Sequence, residues 1–330
     1  MTPIELIRKS LPEDKLGLYP FFDNVPFWEL HSDVKLEPSI WRGIPSKWSL
    51  RFSDNTCIKE VFRIDDPSFC EKYAEAISGG GQERQKINTL HSSSLAALLL
   101  LQHVSKKNPI SVHINGRHVS FTECHFEHKN QVSDDDTHNF SNVDIMLVDK
   151  AKKTILFLES KFSEYLKREP MSFSYTPYYM KMYDSLGEEL KGFGIQHRQT
   201  MEKNKNGKEQ DVIRLEHIEK DKRIYCEGIK QMISHFMGVS TECRKGTFDG
   251  KNVYLGEILF DFGELVPDAF ECLSSYRGAY ESLRNALNEK KAGTQFEMLG
   301  LMIWQDLLHD KSNKKYLETL DDDIKTYYRL

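Results

Sequence analysis

Long apolar runs are missing from this 330-residue chain. None approaches the roughly 20 residues that a spanning helix needs, which argues against a helical membrane protein. Cysteine pairing is missing as well. Cys57, Cys70, Cys124, Cys226, Cys243 and Cys272 are scattered, with no C-x-x-C spacing. That pattern reads as reduced thiols, not a disulfide framework or a zinc ribbon. The first fifteen residues mix Lys and Glu with Leu and Ile, and lack the basic start and continuous apolar core of a secretory signal. A complete cytoplasmic chain is the expectation. No long Pro/Gly/Ser linker, internal repeat or low-complexity tract divides it, beyond short charged pieces such as Asp134-Asp135-Asp136. Nor is positive charge in surplus: 45 Lys+Arg stand against 50 Asp+Glu, a formal charge of −5. Coating nucleic acid by bulk charge is therefore disfavoured, whereas chemistry at one carboxylate-bearing site is not.

What is present is ordinary globular material. Hydrophobic residues make up 39%, with 19 Phe, 14 Tyr and 4 Trp to bury, so the chain is not disordered and can build a real core. Residues 1–78 hold Trp28, Trp41 and Trp48 between repeated prolines and read as an irregular extension packed on a larger unit. After Gly79-Gly80-Gly81, the spacing predicts a helix over Gln82–Val104. Leu95 to Leu101 is apolar nearly all round, so that helix should be buried. Asn115-Gly116 between two alternating runs signals a tight hairpin. Two further strands follow, Val143–Val148 and Thr154–Leu158, joined by the charged turn Asp149–Lys153. A long polar segment dotted with aromatics, 163–222, comes next, then a helix over Tyr225–Met237 and a strand over Val253–Phe262. Residues 266–310 look helical, with a stripe through Phe296, Leu299, Met302, Ile303 and Leu307. This order predicts an α/β (α+β) fold: a core at 79–262 with a mixed sheet flanked by helices, an insertion at 163–222, and a helical region at 263–330.

The chemistry concentrates at one hairpin. If Val143–Val148 and Thr154–Leu158 pair around the Lys150–Lys153 turn, Val148 meets Ile155, Met146 meets Phe157 and Asp144 meets Glu159. Opposed residues share a face, and Lys161 projects from that same face two residues on. Two opposed carboxylates on an apolar face repel. A divalent cation resolves the conflict, since Mg²⁺ binds through one or two carboxylates and keeps room for water and phosphate oxygens. A lysine beside it can hold or activate a water.

Asp144, fourteen residues, then Glu159-Ser160-Lys161 after an apolar strand resembles the PD-(D/E)XK nuclease superfamily, whose fold is restriction-endonuclease-like. The element order agrees over roughly 79–262. The Leu90-His-Ser-Ser-Ser94 stretch and the Glu159–Tyr165 run are also similar to a bacterial restriction-endonuclease-like subgroup. The resemblance implies a Mg²⁺- or Mn²⁺-dependent nuclease acting on nucleic acid, DNA first, with no membrane partner. It is compatible with a homodimer or a partner subunit. Asp144, Glu159 and the Ser160 backbone carbonyl would be metal ligands and Lys161 the water-positioning residue. An extra acid from the first helix would be Glu83, with Glu127 as competitor, and a polar residue on the following helix would be Gln231. Two departures stand out: Asn142-Val143 replaces the usual Pro before Asp144, and the 163–222 insertion is long. A catalytically inactive member that binds nucleic acid or protein is the alternative.

Blander readings stand beside these. The hairpin acids could form a surface Glu–Lys pair, Glu83 a solvated first-turn residue and Gln231 an exposed polar residue. Strand alternation turns Cys124 from His125, and His125 from His128, against a zinc site. Ser92–Ser94 lack a nucleophile elbow. Residues 150–230 hold 17 Lys+Arg against 13 Asp+Glu. They read either as a base-stacking, phosphate-meeting surface or as a solvated excursion.

Overall fold

The computed structural model describes residues 69–76, 92–133, 140–162, 164–166, 172–175, 177–203, 207–217, 227–263, 269–291, 293–328 and 330. The expectations for Trp28, Trp41, Trp48, Gly79–Gly81 and Glu83 lie outside these residues. Among the described residues, no helix is long and apolar enough to cross a membrane.

A mixed central sheet dominates. Helix α1 (Phe69–Ala76) and helix α2 (Ser93–Leu101) come first, then β1 (Ile110–Ile114), β2 (Arg117–Gln131), β3 (Phe140–Asp149) and β4 (Thr154–Lys161). Helix α2 begins where the Ser92 hydroxyl accepts the Leu95 N–H at 3.0 Å, and Leu95 to Leu101 are all fully buried. The β1–β2 turn uses Asn115 and Gly116 at φ +49° and +81°, the left-handed pair that such a two-residue hairpin requires. At the β3–β4 turn, the Asp149 carboxylate accepts the backbone N–H groups of Lys153 and Thr154, both at 2.7 Å. That turn fixes the register, pairing Val148 with Ile155 and Met146 with Phe157 as expected.

The 163–222 segment is more built than its polarity suggests. Strand β5 (Ser172–Tyr175), helices α3 (Met180–Ser185) and α4 (Gly187–Gly192), β6 (Ile195–Lys203) and β7 (Glu209–His217) form a small unit. Its three-stranded antiparallel sheet runs β5-β7-β6. Ile195, Val212, Ile213 and Leu215 are buried in it, too few apolar residues to stand out in a sequence pattern.

Helix α5 (Glu227–Arg244) leads back to β8 (Asn252–Leu259), which lies parallel to β4. Helix α6 (Ala269–Glu289) follows. The stripe from Phe296 to Ile303 is not a helix: β9 (Phe296–Met298) and β10 (Met302–Ile303) pair in parallel with β8, and only Leu307 falls in a helix, α7 (Trp304–His309). Strands buried on both faces show near-continuous apolar runs, which at this length resemble a buried helix. Helices α8 (Lys314–Leu317) and α9 (Asp322–Tyr328) complete the chain.

The sheet order is β1-β2-β3-β4-β8-β10, with α2 packed on β3 and β4, and α5 on β2, β3 and β8. Every residue of β4 is buried, so its polar residues sit in the core, not at a surface. The two ends of the sheet approach one another across an open cleft of about 470 Å³ lined by Ser111–His113 and Leu301–Ile303. Asn313, fully buried, bridges that end: its Oδ1 accepts the Ser111 N–H at 2.7 Å, and its Nδ2 donates to Ser111 O at 2.7 Å and Leu307 O at 2.8 Å. The side chain thereby serves the edge of β1 as a neighbouring strand would.

Candidate functional site

The β3–β4 backbone ladder closes at Ile145 and Leu158. One step further, where the sequence register would set Asp144 against Glu159, the backbone pairing has ended; the strands are joined there by a side chain, and the Glu159 charge acts on Asp144. Asp144 Oδ2 accepts the Ser160 N–H at 2.8 Å. A strand residue's N–H and C=O leave on the same edge, so the Ser160 carbonyl also faces Asp144. The Ser160 hydroxyl donates to Ser93 O at the start of α2, 3.2 Å away, tying that helix to the motif.

Glu159 is almost fully buried and engaged on both oxygens. Lys161 Nζ lies 2.5 Å from Oε1, and His235 Nε2, from α5, 2.9 Å from Oε2. Burial pushes the Glu159 carboxyl up, but Lys161 and then His235 outweigh it and hold the group down at about 2. An ionised carboxylate only accepts, so His235 Nε2 carries the proton facing it. Among the described residues His235 Nδ1 is buried without a hydrogen-bond partner. Asp144 behaves oppositely. Burial first, then the Glu159 charge, push its carboxyl well up; Lys161 opposes them, and Glu127 adds to them.

The row extends beyond the expected pair. Glu257 on β8 stands in register beside Glu159 on β4 and is fully buried. The Tyr276 hydroxyl of α6 lies 2.7 and 3.0 Å from its two oxygens. Burial raises the Glu257 carboxyl to about 8 against the pull of Lys161 and Tyr276. On the other side, Glu127 takes φ +52° between Phe126, paired with Ile145, and His128, paired with Val143, and its charge acts on Asp144. Four acids thus span four adjacent strands around one lysine and one histidine.

The structure therefore brings Asp144, Glu159, Ser160 and Lys161 together and adds Glu127. Gln231 is half-buried on α5, one turn before His235, the residue on that helix that bonds to Glu159. Sequence reasoning missed His235, Glu257 and Tyr276. Only Glu257 left a signal, as a lone acid inside an apolar strand.

Hard oxygen donors from Asp144, Glu159 and the Ser160 carbonyl suit Mg²⁺, and the surplus of buried acid over base suits a cation. Against this, no group of three or more His, Cys, Asp or Glu side chains among the described residues is arranged as a metal cage. Beyond the sealed end of β4, Phe162 packs on Phe260, Phe262 and Tyr328, with centroids 4.9, 5.1 and 5.9 Å away. In the insertion, Arg198 pairs with Glu216 at 3.1 Å, and Arg214 with Glu202 at 3.1 Å and Glu216 at 3.5 Å. These two arginines are neutralised locally.

The mixed sheet and its helices define an α/β protein with a buried carboxylate–lysine centre. No protein-family model, curated protein or solved structure matches the chain.

Proposed function

We propose that the chain is a metal-dependent nuclease of the PD-(D/E)XK kind, hydrolysing phosphodiester bonds, with DNA the substrate by resemblance. The observation that carries this reading is the Asp144–Glu159 pair on adjacent strands, with Lys161 on Glu159, in a buried setting that raises Asp144. Asp144, Glu159 and the Ser160 carbonyl would hold Mg²⁺ or Mn²⁺. The ion, when bound, supplies Lewis-acid stabilisation of charge on the scissile phosphate. Lys161 orients the attacking water, and His235 keeps Glu159 ionised and fixed. Glu257, held by Tyr276, lies next to Glu159. The buried free thiols Cys124 and Cys243 support a reducing, cytoplasmic setting.

The test is cleavage of plasmid and single-stranded DNA with Mg²⁺ or Mn²⁺. Asp144→Ala and Lys161→Ala should each lose on the order of 10²–10⁴-fold in rate. Variants that cleave as fast as wild type would overturn the assignment. A second reading has its own support: both Glu159 oxygens are already taken by Lys161 and His235. In that case the chain binds nucleic acid or a protein without turnover. A wild type that binds DNA but cleaves no substrate on a broad panel would favour it.

A further inference from the structure

Among the described residues, four large hydrophobic side chains stand exposed, and two of them, Phe140 (49%) and Tyr178 (40%), converge on one place. Phe140 is the direct partner of Gln131 across the β2–β3 ladder. The Tyr178 hydroxyl donates to the carbonyl of Val132, the next residue, at 3.0 Å. Thr241 of α5 donates to the same carbonyl at 3.2 Å. The Tyr178 ring is held edge-on to Tyr179 (6.0 Å, 87°), whose hydroxyl meets Ser234 at 3.0 Å, one residue before His235. Tyr178 is thus fixed at its polar end while its ring faces solvent.

Cations border the rings. Lys245 Nζ lies 2.5 Å from Gln131 Oε1, and exposed Lys129 stands two residues before Gln131 on the same strand face. Phe140 precedes Asp144 by four strand residues, about 13 Å. Rigid exposed rings beside lysines are the means by which proteins hold single-stranded nucleic acid, rings stacking on bases and lysines meeting phosphates. A duplex, whose bases are already stacked, offers those rings no free face.

We propose that the Phe140–Tyr178 surface, with Lys129 and Lys245, binds unpaired nucleobases and phosphates of a single-stranded nucleic acid leading to the Asp144 site. The proposal rests on reading that site as a nuclease centre. It gives a role to the insertion, which carries Tyr178 against the site helix.

The experiment measures binding of labelled oligo-dT, oligo-U and a DNA duplex of equal length by the full chain in EDTA. Wild type should bind both single strands more tightly than the duplex. Phe140→Ala and Tyr178→Ala should each weaken single-strand binding by roughly ten- to a hundredfold. Phe140→Trp should restore it and Phe140→Leu should not, with melting temperatures unchanged for these exposed positions. Lys129→Ala and Lys245→Ala should flatten the salt dependence. Equal affinity for duplex and single strand, no binding to any probe, or alanine variants that bind like wild type would each overturn the proposal. Cleavage is absent from this assay. A wild type that binds as described but never cleaves with Mg²⁺ sinks the nuclease reading alone. One that cleaves while both alanine variants bind normally sinks this proposal alone.

Discussion

Asp144 and Glu159 lie close enough for the charge of one to act on the other, yet their protons behave in opposite ways. Lys161 and His235 sit on Glu159 and hold it ionised, while Asp144 has a single backbone N–H and two acidic neighbours. An acid raised by folding costs stability at neutral pH, because the unfolded chain ionises freely. Asp144→Asn should therefore raise the melting temperature of the metal-free protein at pH 7 by a few degrees. If Asp144 holds Mg²⁺ as proposed, the substitution should also abolish the stabilisation that the ion would give the wild type through linkage. Melts of both proteins, with and without Mg²⁺, check this; a lower melting temperature for metal-free Asp144→Asn would contradict it. Glu257 makes the same argument with a defined window. Its carboxyl moves from its ordinary value of 4.5 to about 8. Below 4.5 both states are protonated. Between 4.5 and 8 the unfolded state loses its proton first, so stability falls as pH rises, and it levels off above 8. Glu257→Gln should narrow the gap in melting temperature between pH 5 and pH 8, and an unchanged gap would refute the assignment. Asp144, Glu159 and Lys161 were legible in the sequence because a tight hairpin converts spacing into opposition. His235 and Tyr276 were not, because they arrive from helices whose rotation about the sheet no spacing encodes.

Helix α5 is where packing and site meet. Gly238, one turn past His235, approaches the β2–β3 ladder so closely that a Cβ would stand 2.7 Å from Ser141 Oγ and 2.9 Å from Asn130 Cβ. Asn130 is fully buried and cannot swing away. Gly238→Ala should cost roughly 1–3 kcal/mol by forcing the helix outward. Chemical denaturation measures that loss, and the same displacement should loosen His235 from Glu159. The buried run of α2 and the β1–β2 and β3–β4 hairpins could be read from local signals, a turn and an alternating or uniform apolar run, but α2 ends at Leu101 and not at the expected Val104. The insertion's sheet and the β9 and β10 strands could not. Their identity depends on what they pack against, which a linear pattern of Phe296, Met298, Met302 and Ile303 leaves undecided between strand and helix.

The formal charge of −5 divides unevenly over the molecule. Four acids are gathered at the Asp144 row, while the insertion's described arginines are paired with glutamates. On the proposed binding surface, attraction of a polyanion would fall to Lys129 and Lys245. The sheet is also closed from its far end, through Asn313 on Ser111 and Asn115 on Glu297 (2.8 Å). Asn313→Ala removes three hydrogen bonds at a buried position and leaves the Ser111 N–H and C=O unpaired, costing about 2–4 kcal/mol. Asn313→Asp should fail similarly, since it cannot donate to Ser111 O or Leu307 O. Thermal melts of the two variants would show it, and wild-type stability in either would refute the role of the bridge. The bridge joins residues 202 positions apart, so it also sets an order of events in time. A ribosome releases β1 long before Asn313 exists, and through that interval the β1 edge is an open template for other chains. Chains ending before Asn313 should therefore aggregate through β1, although every strand of the candidate site has already been made.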